Sequence, residues 1–180
     1  FRRVLFRSVF DGFYGNGVWY NNFPPYVKKK WSEINPKYTP NNKSIDFFVE
    51  ADKMIANNEK VDWVCSNIPF SKFNDILEKS VKIARKGIAF LVGIMNISPK
   101  RLKMLEDNNF GITTFHLSQV TGWLGCSVYF IAEKNKPSII KYTRQIYQMP
   151  EDERKIYNKK QKKYQADYYI KNFKTKLKNF

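Results

Sequence analysis

Asn67 and Phe70 stand three residues apart on a turn stiffened by Pro69, within the run Asp62-Trp63-Val64-Cys65-Ser66-Asn67-Ile68-Pro69-Phe70. The asparagine amide oxygen and the backbone carbonyl of Ile68 both accept hydrogen bonds, and an amino group on a flat ring offers N–H donors in one plane. An aromatic ring at position 70 gives that flat ring a surface to stack on. Such a grip holds the amine in plane and leaves its lone pair to act as the nucleophile. No protein nucleophile is needed. That suits a chain whose single histidine, His116, and two cysteines, Cys65 and Cys126, all fall in apolar, strand-like runs. The cysteines read as buried free thiols of a reducing compartment rather than as a disulfide or metal set.

The elements that must position this turn are legible around it. Residues 61–65 form a buried strand that stops at the turn. Phe73, Ile76, Leu77, Val81 and Ala84 then repeat at helical spacing, which predicts a helix over 70–86 closed by Gly87 as C-cap. Residues 88–92 are continuously apolar, as in a strand covered on both faces. Ser98-Pro99 opens a further helix reaching Asn108, with Ser as N-cap. Residues 112–118 and 127–132 read as strands, and the Thr121-Gly122-Trp123-Leu124-Gly125 link is short enough for an antiparallel hairpin. Alternating strands and helices with a terminal hairpin predict an α/β sheet with one reversed strand.

Upstream lie groups suited to a ligand. Asp11-Gly12-Phe13-Tyr14-Gly15-Asn16-Gly17 follows a short apolar run, and its alternating glycines let a backbone turn sharply against a bound molecule. Residues 18–23 start a helix that Pro24-Pro25 cuts short. Lys28-Lys29-Lys30 reads as a solvated loop, and residues 31–36 as a short strand carrying Glu33. Glu33 follows Gly17 by 16 residues, near the spacing of about 20 at which doubly wound folds place a ribose-binding acid. Ile45-Asp46-Phe47-Phe48 precedes a short helix over 50–57.

Taken together, these motifs resemble a family. Asn67-Ile68-Pro69-Phe70 is similar to the Asn/Asp-Pro-Pro-Tyr/Phe motif of adenine-N6 methyltransferases. Ile68 replaces the first proline, as in the Asn-Ile/Leu-Pro-Tyr/Phe form of ribosomal-RNA adenine dimethylases. Asp11-x-Phe13-x-Gly15-x-Gly17 resembles the cofactor loop of amino-methyltransferases, with Gly12 where proline is usual, and Asp46-Phe47 resembles their third motif. In order and spacing, residues 9–134 look most like small phage-type adenine-specific DNA methyltransferases, with their seven-stranded, Rossmann-like sheet. The resemblance implies a mostly parallel methyltransferase sheet ending in an antiparallel hairpin. It implies S-adenosyl-L-methionine held by Asp11, Phe13, Gly15, Gly17, Glu33, Asp46 and Phe47. Asn67 and the Ile68 carbonyl would hold the N6 amine of a DNA adenine for direct displacement, with Pro69 stiffening the turn and Phe70 stacking on the flipped base. Since only the backbone carbonyl is used at 68, and both residues supply it, Ile68→Pro is expected to be tolerated. RNA adenine, a protein glutamine side chain, or nucleic-acid binding without turnover stand as alternatives.

Composition sets the outer bounds. The chain of 180 residues carries a net charge of +16, which points to a polyanionic partner, nucleic acid and by the resemblance DNA, though AT-rich codons also give a basic chain. No apolar run approaches the roughly 20 residues a membrane helix needs, and the expected location is the cytoplasm of a bacterial or phage-infected cell. Residues 134–180 hold 14 Lys/Arg against 4 Asp/Glu, so a basic, largely helical extension over 135–180 follows the 9–134 domain. Its Tyr157, Tyr164, Tyr168 and Tyr169 fall on one helical face among lysines. They either ride a nucleic-acid backbone or pack on the protein. Residues 1–8, Phe-Arg-Arg-Val-Leu-Phe-Arg-Ser, resemble a translated sequencing adapter, which would put the natural start beyond them.

Overall fold

The computed structural model describes residues 7–118, 126–141 and, beyond these, 151, 155, 156, 158–160, 162 and 163. The chain divides into two compact units, Phe1–Thr143 and Arg144–Phe180. Among the described residues the first unit holds six strands, β1 (Ser8–Asp11), β2 (Lys28–Trp31), β3 (Val61–Asn67), β4 (Ala84–Gly93), β5 (Phe110–Ser118) and β6 (Ser127–Lys134). They lie in the order β2-β1-β3-β4-β6-β5, with β1 to β4 parallel and β6 antiparallel to both neighbours. From β1 the chain steps outward to β2, then returns to the other side of β1 for β3. That reversal is the switch point at whose strand ends such sheets bind ligands.

Alternation along the strands divides the core. Phe10, Val64, Ile88, Phe90, Val128 and Phe130 pack with α2 (Phe47–Ala56), α3 (Phe73–Ile83) and α4 (Pro99–Asp107) on one face. Val9, Trp63 and Cys65 face the other way, against Trp19 and Phe23 in and beside the short helix α1 (Val18–Asn22). Asp46 starts α2 as its N-cap, accepting from the N–H groups of Phe48 (2.8 Å) and Val49 (3.1 Å). The helix therefore begins three residues earlier than the expected 50–57. α1 ends where Pro24 demands.

Several expectations are corrected. Lys28-Lys29-Lys30 is the edge strand β2, not a loop, and residues 32–36 are not a strand; Glu33 makes one isolated bridge to Ile45. An edge strand tolerates lysines because its outer side faces water. Here Lys30 is also held by Glu50 at 2.8 Å and Glu59 at 3.1 Å. Gly87 does not cap α3. The helix stops at Ile83 and Gly87 lies inside β4, flush under the Trp63 ring, where a Cβ would sit 2.3 Å from Cζ3. Cys65 is buried as expected, but Cys126 is exposed. Among the described residues the sheet has six strands. Ser8 opens β1, pairing with Lys28 and accepting from the Asp62 N–H at 2.9 Å, so strand pairing begins within the adapter-like segment.

Of the second unit, the described residues are helical, with Lys155 pairing to Glu151 one turn earlier at 3.2 Å. The tail tyrosines and the 121–125 link lie outside the described residues.

Candidate active site

A cleft of about 640 Å³ opens at the carboxyl ends of β1 and β3, within the size range of small-molecule sites. One wall is the loop after β1: Phe13, Tyr14, Gly15 and Asn16. Gly15 (φ 53°) and Gly17 (φ 78°) take left-handed conformations that bend this loop back into α1. Gly12 serves differently. A Cβ there would meet the Phe47 ring at 2.8 Å, so the residue that replaces the usual proline makes room for a core aromatic.

The opposite wall is the turn after β3. Asn67 is exposed and lines the cleft, Ile68 is 2% exposed and turned into the core, and Pro69 and Phe70 face outward, Phe70 at 37%. Ile68 is thus an anchor as well as a carbonyl: its buried side chain fixes the turn on which its two neighbours are displayed. Arg101 of α4 braces the same region. Its guanidinium lies 4.3 Å from the Phe73 ring centroid and donates to Asn74 Oδ1 at 2.8 Å and to the Asn96 carbonyl.

Glu33 reaches the cleft from beyond β2. Its Oε2 accepts from the Gly15 N–H at 2.9 Å and Oε1 from the Asn35 N–H at 2.9 Å. A carboxylate has about four lone-pair sites, so two remain for a ligand hydroxyl. Asp11 ends β1 fully buried, with Oδ1 bonded to the Ser66 hydroxyl. Burial raises its pKa to about 6, against the Ser66 hydroxyl and the Phe13 and Tyr20 amides, with Glu33 adding repulsion.

The structure therefore gathers Phe13, Gly15, Glu33, Asn67, Ile68, Pro69 and Phe70 around one cavity. Asp11, Gly17, Asp46 and Phe47 do not line it. Asp46 Oδ1 is engaged as a helix cap, and Phe47, 3% exposed, packs against Phe13, whose ring centroid lies 5.0 Å away. Sequence reasoning missed Trp19, Leu91 and Tyr129, which close the cleft from α1, β4 and β6. The Trp19 and Tyr129 rings lie 6.2 Å apart, and Leu91 and Tyr129 are register partners. One signal was available: Val128, Phe130 and Ala132 read as core, which turns Tyr129 to the opposite face.

The fold has counterparts among solved structures. It is similar to magnesium protoporphyrin IX methyltransferase from Synechocystis PCC 6803 with bound SAM (13% identity, 72% of this chain and 70% of that one, TM-score 0.50). It is similar also to a ribosomal protein L11 methylase from Lactobacillus delbrueckii subsp. bulgaricus (15% identity, 74% and 73%, TM-score 0.51). A third is the N-methyltransferase NodS from Bradyrhizobium japonicum WM9 (7% identity, 73% and 87%, TM-score 0.53). No family model matches the sequence, and no curated protein matches it. The architecture is that of the Rossmann-like methyltransferases: a mostly parallel α/β sheet closed by an antiparallel pair.

Proposed function

We propose that the chain is a methyltransferase that uses S-adenosyl-L-methionine to methylate the N6 amine of adenine in DNA. One observation carries this reading. The Asn67-Ile68-Pro69-Phe70 turn and the Gly15–Glu33 pair, distant in sequence, face each other across a single cleft of cofactor size. The residues present fit the cofactor. Glu33 keeps lone pairs for a ribose, and Gly15, at φ 53°, brings the loop backbone to the cavity wall without a Cβ in the way.

When bound, the cofactor supplies a methyl group on a sulfonium, open to attack by an amine lone pair. The chain's own part is to present that lone pair. The Asn67 amide oxygen and the Ile68 carbonyl accept from the amine's N–H groups and stabilise the positive charge that grows on its nitrogen. The exposed Phe70 ring takes the base by stacking, worth about 1–3 kcal/mol. Its fixed place beside Asn67 supplies orientation, the largest source of rate where no protein nucleophile acts. Because Asn67 is exposed, the proton released after transfer passes to water.

The +16 charge supports a nucleic-acid partner, and the expected setting is the cytoplasm of a bacterial or phage-infected cell. No helix among the described residues is long and apolar enough to cross a membrane. The test is transfer of a labelled methyl group, offered in parallel to duplex DNA, single-stranded DNA, RNA and protein. Label on N6 of DNA adenine is the expected result. Label on RNA adenine or on glutamine would keep the chemistry and replace the substrate, while cofactor binding without transfer to any of them would make the chain a binding protein.

A further inference from the structure

Ser66 and Asp11 are both 0% exposed, and neither lines the cleft. Each is the last buried residue of its strand: Ser66 immediately precedes Asn67, and Asp11 immediately precedes the glycine loop. The Ser66 hydroxyl donates to Asp11 Oδ1 at 2.7 Å and accepts from the Phe13 N–H at 3.0 Å. The Phe13 carbonyl lies 3.4 Å from the same hydroxyl, and the Phe13 N–H 3.4 Å from Asp11 Oδ1. One side chain on the strand that carries the Asn67 turn thus meets both backbone groups of Phe13, the first loop residue to line the cleft.

We propose that Ser66 is a positioning residue that couples the cofactor loop to the catalytic turn, and that the protonation state of Asp11 sets this coupling. The proposal rests on the methyltransferase reading above. With Asp11 ionised, the single hydroxyl proton of Ser66 is committed to Oδ1, and its lone pairs remain for the Phe13 N–H. The loop then hangs on a charge-assisted bond. A protonated Asp11 donates in its turn to Ser66 Oγ and competes with the Phe13 N–H for the same lone pairs. The hydroxyl proton then turns toward the Phe13 carbonyl, and the grip on the loop is remade with neutral partners. Packing around the pair places this change near neutrality: burial pushes Asp11 up to about 6, and Glu33, beyond β2, adds negative charge beside it. From β3 the buried Cys65 thiol faces the same carboxylate and is itself pushed up, so it stays neutral. From α1 the group that faces Asp11 is the Tyr20 amide, which favours the charged form.

The experiment combines carbon NMR of the Asp11 carboxyl, amide NMR of Phe13, and calorimetry with S-adenosylhomocysteine between pH 5 and 8. Wild type, Ser66→Ala and Ser66→Thr are compared. In wild type the Phe13 amide is expected to shift with the Asp11 titration, and affinity to fall several-fold as pH drops through about 6. Ser66→Ala removes a bond to the charged form, so the Asp11 midpoint should move up, and with the joint gone affinity should be lower and should no longer follow the Asp11 titration. Ser66→Thr, which keeps the hydroxyl, should restore the wild-type midpoint. A serine that only fills space would cost stability without moving the midpoint, and an unmoved midpoint in folded Ser66→Ala overturns the proposal. If Ser66→Ala does not fold, the wild-type protein decides, since a Phe13 amide that ignores the Asp11 titration also overturns it. Absence of any S-adenosylhomocysteine binding in wild type defeats the cofactor reading instead, and the NMR arms still judge the joint.

Discussion

Glu33 and Gly15, 18 residues apart in the chain, meet through a 2.9 Å hydrogen bond from the glycine N–H to the carboxylate. The acid proposed to take a ribose therefore also sets the shape of the loop beneath it.

Glu33→Ala should act twice, removing a ligand acceptor and leaving the Gly15 N–H unpaired. Affinity for S-adenosylhomocysteine should weaken by about 1–3 kcal/mol. Glu33→Gln keeps one carbonyl oxygen and should fall between the two. Calorimetry at pH 8 checks both, and wild-type affinity in Glu33→Ala would remove this residue from the site.

Asp11 gives a pH dependence whose direction is fixed by its raised pKa of about 6. Between the ordinary carboxylate value and 6 the folded protein holds this proton and the unfolded chain does not. Stability from Asp11 is therefore greatest below that range and is lost as pH rises through 6. Asp11→Asn cannot ionise, so its melting temperature should gain on wild type as pH rises from 5 to 7. Thermal melts of the two proteins at each pH measure the difference, and a constant gap would show that Asp11 is not buried as described.

Gly87→Ala should be costly although alanine suits strands no worse than glycine. The new Cβ would sit 2.3 Å from Trp63 Cζ3, so either the indole or β4 must move. Overpacking of this kind costs about 1–3 kcal/mol, to be read from urea midpoints. A second change, Trp63→Leu, should relieve part of it.

At position 68 the buried side chain weighs against the expectation that proline is tolerated. The side chain is 2% exposed among core residues, so Ile68→Ala should lose about 2–5 kcal/mol and Ile68→Pro should also destabilise. Methyl transfer measured well below the melting temperature should nonetheless survive Ile68→Val, which keeps both the carbonyl and most of the burial.

The parts of the fold that could be read in advance are those where local signals and packing agree. The buried run 61–65, the Pro69 turn and the helical spacing from Phe73 to Val81 point the same way, and β3 and α3 follow. Proline at 24 ended α1 as its missing N–H requires. Where the reading failed, tertiary contacts decided. Three lysines suggested a loop, but Lys30 has two carboxylates to meet and Lys29 lies 5.4 Å from the Tyr20 ring centroid, so a strand could carry them. Gly87 suggested a helix end, whereas its lack of a side chain serves Trp63 on the neighbouring strand. In the site, the loop, the acid and the tetrapeptide were visible as short motifs. Trp19 and Tyr129 were not, because 110 residues separate two rings that only the sheet order brings together.

The most direct test of the whole account is labelled methyl transfer to adenine-containing DNA by wild type and by Asn67→Ala, with S-adenosylhomocysteine affinity measured on the same samples. Asn67 is exposed at the end of β3, so its loss should spare both fold and cofactor binding. The account predicts transfer to N6 by wild type, its abolition in Asn67→Ala, and unchanged cofactor affinity. Wild-type rates of transfer in Asn67→Ala would contradict it.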